Sequence, residues 1–300
     1  MLTNYKHLIE MTKARGCARV SVACAQDEEV LLAVKGAYDA GIATAILVGD
    51  AELIRPLAEK VGLPADIRIE DVKDIDAAAL RAVELVSTGE ADILVKGLVN
   101  SSSFLHAALD KKVGLRTGGM LSHLACFEIP GEKKLAFHTD GGMNIQPDLA
   151  AKVDIVRNAL QALRTMGIAK PNVAVLTANE RVNDKMPATV DAKALADMGA
   201  RGEFGDCVIE GPIAMDVAAS ADNAHHKGIK SRIAGDVDLF VVPSIEAGNF
   251  VGKTLVCYAH VKMTGLVLGA RRPIVLVSRS DTAEAKLNSI ALACLALTKD

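Results

Sequence analysis

The feature that most restricts the fold of this chain is a regular alternation of short apolar runs with longer segments of helical period. The apolar runs predict strands at residues 19–24, 43–48, 92–95, 136–139, 172–177, 206–210, 239–243, 265–268 and 273–277. The helical periods predict helices at residues 2–15, 28–40, 51–61, 76–88, 103–109, 147–166, 189–198 and 283–297. Strands that alternate with helices pair in parallel and are covered on both faces, so the chain is predicted to be an α/β protein with a mostly parallel sheet.

The end of the chain combines a strand, a polar turn and a helix. Asp281, followed three residues later by Glu284, is a capping-box pattern that predicts the start of the last helix. The free N–H groups at a helix start attract anions, and Arg279 adds a forked positive charge that suits phosphate. The turn from Ser278 to Asp281 is therefore a candidate anion site. The alternative is that the two acids only cap the helix and that Arg279 pairs with a surface carboxylate.

Two polar loops follow similar runs in the two halves of the chain. Residues 89–95 resemble residues 235–241, and the loops that follow lie at 96–102 and 243–249. Polar loops at the carboxyl ends of strands in two α/β halves are expected to face a shared cleft, which is the usual location of a ligand in such sheets.

The first of these loops is a second candidate anion site. Lys96 supplies a positive charge, Gly97 allows close approach of the backbone, and Asn100, Ser101 and Ser102 supply small hydrogen-bonding groups. The alternative is an ordinary turn that leads into a helix capped by a serine. The loop at 243–249 has the same alternative, a plain loop with a helix cap.

Composition excludes several functional classes. The formal net charge of −3, an aromatic content of 3% and the absence of Trp argue against binding to nucleic acid or to an anionic membrane. The sequence has no apolar run of membrane-spanning length and no signal-peptide pattern at its start. Its six cysteines form no C-x-x-C pair, which predicts reduced thiols in a cytoplasmic protein.

Known catalytic and cofactor motifs are also absent from the sequence. No histidine or cysteine spacing is typical of a metal site, and neither G-x-G-x-x-G nor G-x-S-x-G occurs at the required place. Gly252-Lys253-Thr254 is not a Walker A loop, because Ala247 stands where that motif needs a glycine. No metal is predicted.

Seven segments, in order along nearly the whole chain, resemble the phosphate acetyl/butyryltransferase family. They lie at residues 95–101, 115–118, 144–147, 210–216, 234–238, 243–249 and 273–279. The resemblance implies two α/β domains with a cleft between them, in a fold similar to that of isocitrate and isopropylmalate dehydrogenases. Together with the strand pattern, it predicts a first domain at 1–140 plus 270–300 and a second at 141–269.

The family's reaction is the reversible transfer of an acyl group between coenzyme A and inorganic phosphate through a ternary complex, with no metal at the reacting centre. The resemblance therefore implies acyl-CoA and inorganic phosphate as partners, coenzyme A as a substrate, and no tightly bound cofactor. It also implies a homodimer or a larger homo-oligomer.

The resemblance assigns roles to the end of the chain. Ser278 would donate a hydrogen bond to the developing oxyanion, and Arg279 would hold phosphate. In the acetyltransferase branch an acid one turn into the last helix serves as the base, and that position is Ala285 here. The role is therefore expected to fall to Asp281 or Glu284, or to another group. The absence of an acid at position 285 favours the butyryl-type branch of the family over the acetyltransferase branch.

The remaining predicted site residues bind substrate. They are Lys96, Gly97, Asn100, Ser101, Ser102, Asn144, Glu246, Gly248 and Asn249. The acetyltransferases also carry an arginine in the helix after the first polar loop, where this chain has His106, so Arg116 is the predicted replacement.

Three other functions stay open at the level of sequence. The same reaction on acetyl-CoA differs only in the acyl pocket. A dehydrogenase on the same fold would need an aspartate cluster and nicotinamide signals that are not evident. A homologue that binds coenzyme A or phosphate without turnover is the non-enzymatic alternative.

Overall fold

The computed structural model describes residues 2–278 and 281–298. Its helices are α1 (Tyr5–Arg15), α2 (Glu28–Asp39), α3 (Ala51–Lys60), α4 (Ile75–Ser87), α5 (Ser101–Ala108), α6 (Leu149–Thr165), α7 (Pro187–Ala200), α8 (Met215–Ala219), α9 (Ala221–His226), α10 (Ile245–Ala259) and α11 (Ala283–Ala296). Its strands are β1 (Ala18–Ala23), β2 (Ala43–Gly49), β3 (Arg68–Asp71), β4 (Ile93–Lys96), β5 (Ser122–Glu128), β6 (Ala136–Thr139), β7 (Asn172–Leu176), β8 (Val208–Ile213), β9 (Leu239–Val241), β10 (Lys262–Leu268) and β11 (Ile274–Val275). Within the described ranges, no helix has both the length and the apolar content that are needed to cross a bilayer.

The chain divides into two compact units. The first unit contains residues 2–119 and those from 264 to the end of the chain, and the second contains residues 120–263. These limits differ from the predicted ones at 140 and 270. Residues 120–140 group with the second unit because β5 and β6 pair with each other, and β6 pairs with β9. Residues from Thr264 onwards group with the first unit because β10 pairs with β11.

The sheet of the first unit has the order β3-β2-β1-β4-β11-β10. The first five strands are parallel, and β10 runs antiparallel to β11. This confirms the prediction of a mostly parallel sheet from the alternation of strands and helices. The carboxyl ends of neighbouring parallel strands meet at one edge of a sheet, so the loops that follow β1, β4 and β11 lie together.

The sheet of the second unit has the order β5-β6-β9-β7-β8. β5 is antiparallel to β6, and the other pairs are parallel. The sequence predicted that β8 ends at Glu210, before Gly211-Pro212, but the strand continues to Ile213. The proline is accommodated because the register shifts between Ala174 and Leu176 of β7, opposite this part of β8.

The last helix, α11, is buried around most of its circumference. Lys286 and residues 288–296 are all buried. The helix packs against α1 and α2: Thr12 of α1 donates its hydroxyl to the carbonyl of Ala291 at 3.1 Å, and Gly36 of α2 lies under Leu287. A helix that is buried on most of its sides is typical of a position inside a core.

His138 of β6 lies in the core of the second unit. It is 5% exposed and lies between Phe127 and Phe240, whose ring centroids are both 4.8 Å from that of the imidazole; the Phe127 contact is edge-to-face and the Phe240 contact is tilted. Its Nδ1 is buried and has no hydrogen-bond partner among the described residues. Burial lowers the pKa of His138 to about 4, so the ring is neutral at ordinary pH.

His138 is expected to make the protein less stable in weak acid. The ring of His138 binds a proton near pH 6.5 in the unfolded chain and only near pH 4 in the folded chain. The contribution of the neutral ring to the free energy of unfolding is therefore fully present above pH 6.5 and is lost as the pH falls from 6.5 to 4. The loss attributable to this ring is about 3 kcal/mol.

Urea unfolding of the wild-type protein and of His138→Phe at pH 7.5, 6, 5 and 4.5 measures this loss. The variant is expected to lose less stability than the wild type between the first and last pH. His123, whose pKa is also lowered by burial, is present in both proteins and cancels in the comparison. Equal losses in the two proteins would contradict the prediction.

Candidate active site

In the first unit, two of the predicted segments follow adjacent strands. β4 and β11 are parallel neighbours, with Val95 opposite Val275. Lys96 ends β4 and Ser278 lies three residues beyond β11, so both segments leave the sheet at the same edge. This is the edge at which ligands bind in sheets of this type.

The loop after β4 is fixed against the end of β1. The N–H groups of Gly97 and Leu98 donate to the carbonyls of Ala23 and Cys24 at 2.9 and 2.7 Å. A Cβ on Gly97 would lie 2.3 Å from the carbonyl oxygen of Cys24, so only glycine fits. Lys96 is 3% exposed. The close approach of the two backbones therefore sets the position of a buried ammonium group.

Asn100, not a serine, caps the helix that follows this loop. Its Oδ1 accepts from the N–H of Ser103 and from the hydroxyl of Ser102, both at 2.8 Å. Ser101 and Ser102 are exposed in the first turn of α5. The side chains of Asn100 and Ser102 therefore already take part in capping the helix. Within the described structure, the side chain of Ser101 takes no part in the cap.

The turn before α11 is held by Asp281. The N–H of Ser278 donates to Asp281 Oδ2 at 2.8 Å, and the N–H of Asp281 donates back to the Ser278 carbonyl at 3.2 Å. The helix cap is Thr282, one residue after the predicted cap, because the Thr282 hydroxyl accepts from the N–H of Ala285. Asp281 thus fixes Ser278 instead of capping the helix. Arg279 lies outside the described residues.

Two carboxylates stand at the start of α11. Glu284 is exposed in its first turn. Glu29 of α2 accepts from the N–H of Ala283 at 2.8 Å and was not predicted from the sequence. Glu29 is far from this helix along the chain, so only the packing of α11 on α2 could place it here.

Arg116 is exposed on the loop after α5. The loop is anchored on both sides of it: the N–H of Arg271 donates to the Leu115 carbonyl at 2.8 Å, and the Thr117 hydroxyl donates to the Gly269 carbonyl at 2.7 Å. The structure therefore holds Arg116 on an ordered part of the first unit.

In the second unit, Asn144 lies in a turn organised by a buried aspartate. Asp140 is 2% exposed, and its Oδ1 accepts from the N–H groups of Gly142 and Met143, both at 2.9 Å. Asn144 Nδ2 donates to Asp140 Oδ2 at 2.6 Å and to the Leu121 carbonyl at 2.9 Å. Asp140 was not selected from the sequence, although an aspartate before two glycines at a strand end is a turn signal that could have identified it.

His123 lies beside this turn. A Cβ on Gly142 would be 2.9 Å from its Cγ, and its buried Nδ1 has no hydrogen-bond partner among the described residues. Burial lowers the pKa of His123, and the negative charge of Asp140 opposes that shift. The ring therefore adds a neutral imidazole to the immediate surroundings of the turn.

The start of α10 packs on the same turn. A Cβ on Gly248 would lie 2.5 Å from Gly141 Cα, and the N–H of Ile245 donates to the Ile145 carbonyl at 3.0 Å. Glu246 and Asn249 are exposed in the first turns of this helix, which Ser244 caps. The second unit thus brings the turn of Asn144 together with the segment 246–249.

Two sequence motifs take no part in a nucleotide or metal site. Gly252, Lys253 and Thr254 lie inside α10, where no phosphate-binding loop can form. Across the described ranges, no three His, Cys, Asp or Glu side chains are grouped so that they could hold a metal ion.

A family model described as phosphate acetyl/butaryl transferase matches residues 66–294 of the chain. A phosphate butyryltransferase from Clostridium acetobutylicum is 46% identical over 98% of this chain and 98% of its own length. The crystal structure of a branched-chain phosphotransacylase from Enterococcus faecalis superposes with a TM-score of 0.82 and 33% identity, over 93% of this chain and 98% of that one. A 4-hydroxythreonine-4-phosphate dehydrogenase from Klebsiella pneumoniae shares the fold alone, with a TM-score of 0.57 and 15% identity over 93% of this chain and 99% of that one.

Proposed function

The chain belongs to the phosphate acetyl/butaryl transferase family, and we propose that it transfers a short-chain acyl group, butyryl or similar, reversibly between coenzyme A and inorganic phosphate. The observation that carries this proposal is the 46% identity to a phosphate butyryltransferase over nearly the full length of both chains. The reaction balances as acyl-CoA plus phosphate giving acyl phosphate plus free CoA, with both substrates bound together.

The proposed roles at the end of the chain follow from the needs of thiol attack on an acyl phosphate. The carbonyl oxygen gains negative charge and needs a donor, for which we assign Ser278; the leaving phosphate needs a cation, for which we assign Arg279. The thiol needs a base. We assign that role to Glu284, since the Asp281 carboxylate already accepts the N–H of Ser278 and so acts as a positioning residue.

The two acids are expected to respond differently to neutral substitution. Glu284→Gln is expected to lower kcat by about 100-fold, within the range of a lost general base, with only a small change in the free energy of unfolding. Asp281→Asn is expected to cost about 1 kcal/mol of stability, because it weakens a charge-assisted hydrogen bond, and to lower kcat less. Steady-state kinetics and urea unfolding of both variants test this. If both lose only stability, neither is the base.

We further propose that the polar residues of the two units bind the substrates. In the first unit these are Lys96, Gly97, Asn100, Ser101, Ser102 and Arg116, and in the second Asn144, Glu246, Gly248 and Asn249. The buried ammonium of Lys96 and the exposed hydroxyl of Ser101 suit phosphate groups.

We also propose a cytoplasmic homodimer or larger homo-oligomer without a tightly bound cofactor. None of the six cysteines, all of them described, is in a disulfide, and Cys24, Cys126 and Cys294 are buried, which suits a reducing compartment. Coenzyme A enters as a substrate, and phosphate accepts the acyl group.

The decisive experiment measures free CoA released from acetyl-, butyryl- and isobutyryl-CoA, with and without phosphate, in the presence of EDTA. Phosphate-dependent release that is fastest with the four-carbon substrates is expected. Fastest release from acetyl-CoA would replace the butyryl assignment with the acetyl one, which the family description also covers. No release from any of the three would leave a protein that binds coenzyme A or phosphate without turnover.

A further inference from the structure

Lys286, in the first turn of α11, carries a buried charge to which no role has yet been assigned. The residue is 4% exposed, and its ammonium group donates a hydrogen bond to the carbonyl of Asp281. Within the described ranges this carbonyl is the only partner of the ammonium group, and no carboxylate lies at ion-pair distance from it. Lysines this deeply buried are normally paired with an acid, because the burial of an unpaired charge costs free energy.

The position of Lys286 along the helix adds to this cost. α11 begins at Ala283, so Lys286 lies near the positive end of the helix dipole, whereas cations are stabilised near the opposite end. Burial, the missing acid partner and the helix dipole therefore all disfavour a cation at this position. The same three features strengthen the attraction of an anion that binds nearby, because a charge in a medium of low dielectric constant acts over a longer distance.

The acids around the start of α11 do not neutralise Lys286 by direct contact. Glu29 and Asp281 each accept a hydrogen bond from a backbone N–H group at 2.8 Å. Glu284 is exposed in the first turn of the helix, where water screens its charge. The ammonium group of Lys286 therefore keeps a positive field beneath the turn that precedes the helix.

Lys286 also joins that turn to the core. The carboxylate of Asp281 accepts from the N–H of Ser278, its own N–H donates back to the Ser278 carbonyl, and its carbonyl accepts from Lys286. Ser278 is exposed, whereas Lys286 and residues 288–296 are buried. One buried side chain thus fixes an exposed turn to a helix that is embedded in the first unit.

We propose that Lys286 is a positioning residue of the phosphate site: its ammonium group fixes the turn from Ser278 to Asp281 and attracts the phosphate that binds above it. The proposal rests on the acyl transfer function proposed above and deepens it. It adds a buried positive charge to the two cations, Lys96 and Arg279, that are proposed to bind phosphate.

Lys286→Met tests this role, because methionine is also long and unbranched but has neither a charge nor an N–H group. We expect kcat/KM for phosphate to fall about 30-fold and KM for acyl-CoA to change much less, because the lost charge acts on phosphate. The midpoint of urea unfolding is expected at or above the wild-type value, because an apolar side chain replaces an unpaired buried charge. A residue that served stability alone would give a lower midpoint and an unchanged kcat/KM for phosphate.

Lys152→Met is the matched control. Lys152 is 6% exposed on α6 of the second unit, but its Nζ pairs with Asp191 at 2.6 Å. Its variant is expected to have a lower urea midpoint, because Asp191 loses its partner, and a wild-type kcat/KM for phosphate. Lys286→Gln is the second variant if Lys286→Met does not fold. Glutamine is also uncharged, so the same loss in the use of phosphate is expected.

Two measurements on every protein separate this proposal from that of the reaction: CoA release from butyryl-CoA, and the rise in melting temperature caused by added phosphate. Phosphate is expected to raise the melting temperature of the wild type and of Lys152→Met, and to raise that of Lys286→Met much less. Near-wild-type kcat/KM for phosphate in a folded Lys286 variant would overturn the proposal.

A wild type that releases no CoA would overturn the proposed reaction, and the effect of phosphate on the melting temperature would then decide the role of Lys286 by itself. An equal rise in the wild type and in Lys286→Met, or no rise in either, would show that Lys286 does not act on phosphate.

Discussion

Gly248→Ala is expected to lower kcat for acyl transfer by about 100-fold, whereas Gly252→Ala, four residues further along the same helix, is expected to leave it near the wild-type value. A Cβ on Gly248 would lie 2.5 Å from Gly141 Cα and 2.8 Å from Val242 Cγ2. The first contact is with backbone and cannot be relieved by a side-chain rotation. The turn that carries Asn144, which we propose binds substrate, must therefore move, and a displacement of about 1 Å in a substrate-binding group costs a factor of this size.

Gly252 is the matched control because it lies in the same helix and its surroundings leave space for a Cβ. A Cβ there would be 3.5 Å from the Phe127 ring and 3.7 Å from Met263 Sδ, which are ordinary contacts. Alanine in place of glycine inside a helix is expected to add up to about 1 kcal/mol of stability.

Kinetics with both substrates and urea unfolding of the two variants check the prediction. Gly248→Ala is expected to lose about 1–3 kcal/mol as well, as is usual for an overpacked site. Wild-type turnover in Gly248→Ala would mean that the contact of the turn with α10 does not position any substrate-binding group.

The sequence predicted only part of the sheet structure of each unit. The alternation of strands and helices predicted parallel pairing, since β-branched runs and helix stop signals are local properties of the chain. β3 and β5 were missed. β3 is polar at Arg68, Glu70 and Asp71 and lies at the end of its sheet, so it lacks the apolar run of a buried strand.

The placement of site residues depends on contacts that are distant along the chain. Lys96 and Ser278 could be assigned to the same edge of a sheet only once β4 and β11 were known to be neighbours. The roles of Asp281 and Asp140 depend on which N–H groups donate to their carboxylates. Capping preferences alone predicted that Asp281 accepts from the N–H groups at the start of the last helix, whereas it accepts from the N–H of Ser278. Close backbone approaches such as that of Gly97 to Cys24 cannot be predicted from the sequence, because the glycine alone does not show which residue approaches it.

Arg279→Ala is expected to lower kcat/KM for phosphate by about 1,000-fold, the upper range for loss of one group that stabilises transition-state charge. KM for acyl-CoA is expected to change much less, because the proposed partner of the guanidinium is the transferred phosphate. Arg279→Lys is expected to recover only a small part of the loss, since an ammonium supplies the charge but not the two-pronged geometry that matches phosphate oxygens.

Chemical rescue separates this role from a structural one. Added guanidinium ion is expected to restore part of the turnover of Arg279→Ala, with a dependence on phosphate concentration. It is expected to leave Glu284→Gln unaffected, because the proposed role of Glu284 is that of a base. The neighbouring turn is held by bonds between other residues: the N–H of Ser278 donates to Asp281, and the N–H of Ala285 donates to the Thr282 hydroxyl. Near-wild-type kinetics in Arg279→Ala would remove this residue from the site and leave Lys96, on the adjacent strand, as the cation that must meet the phosphate.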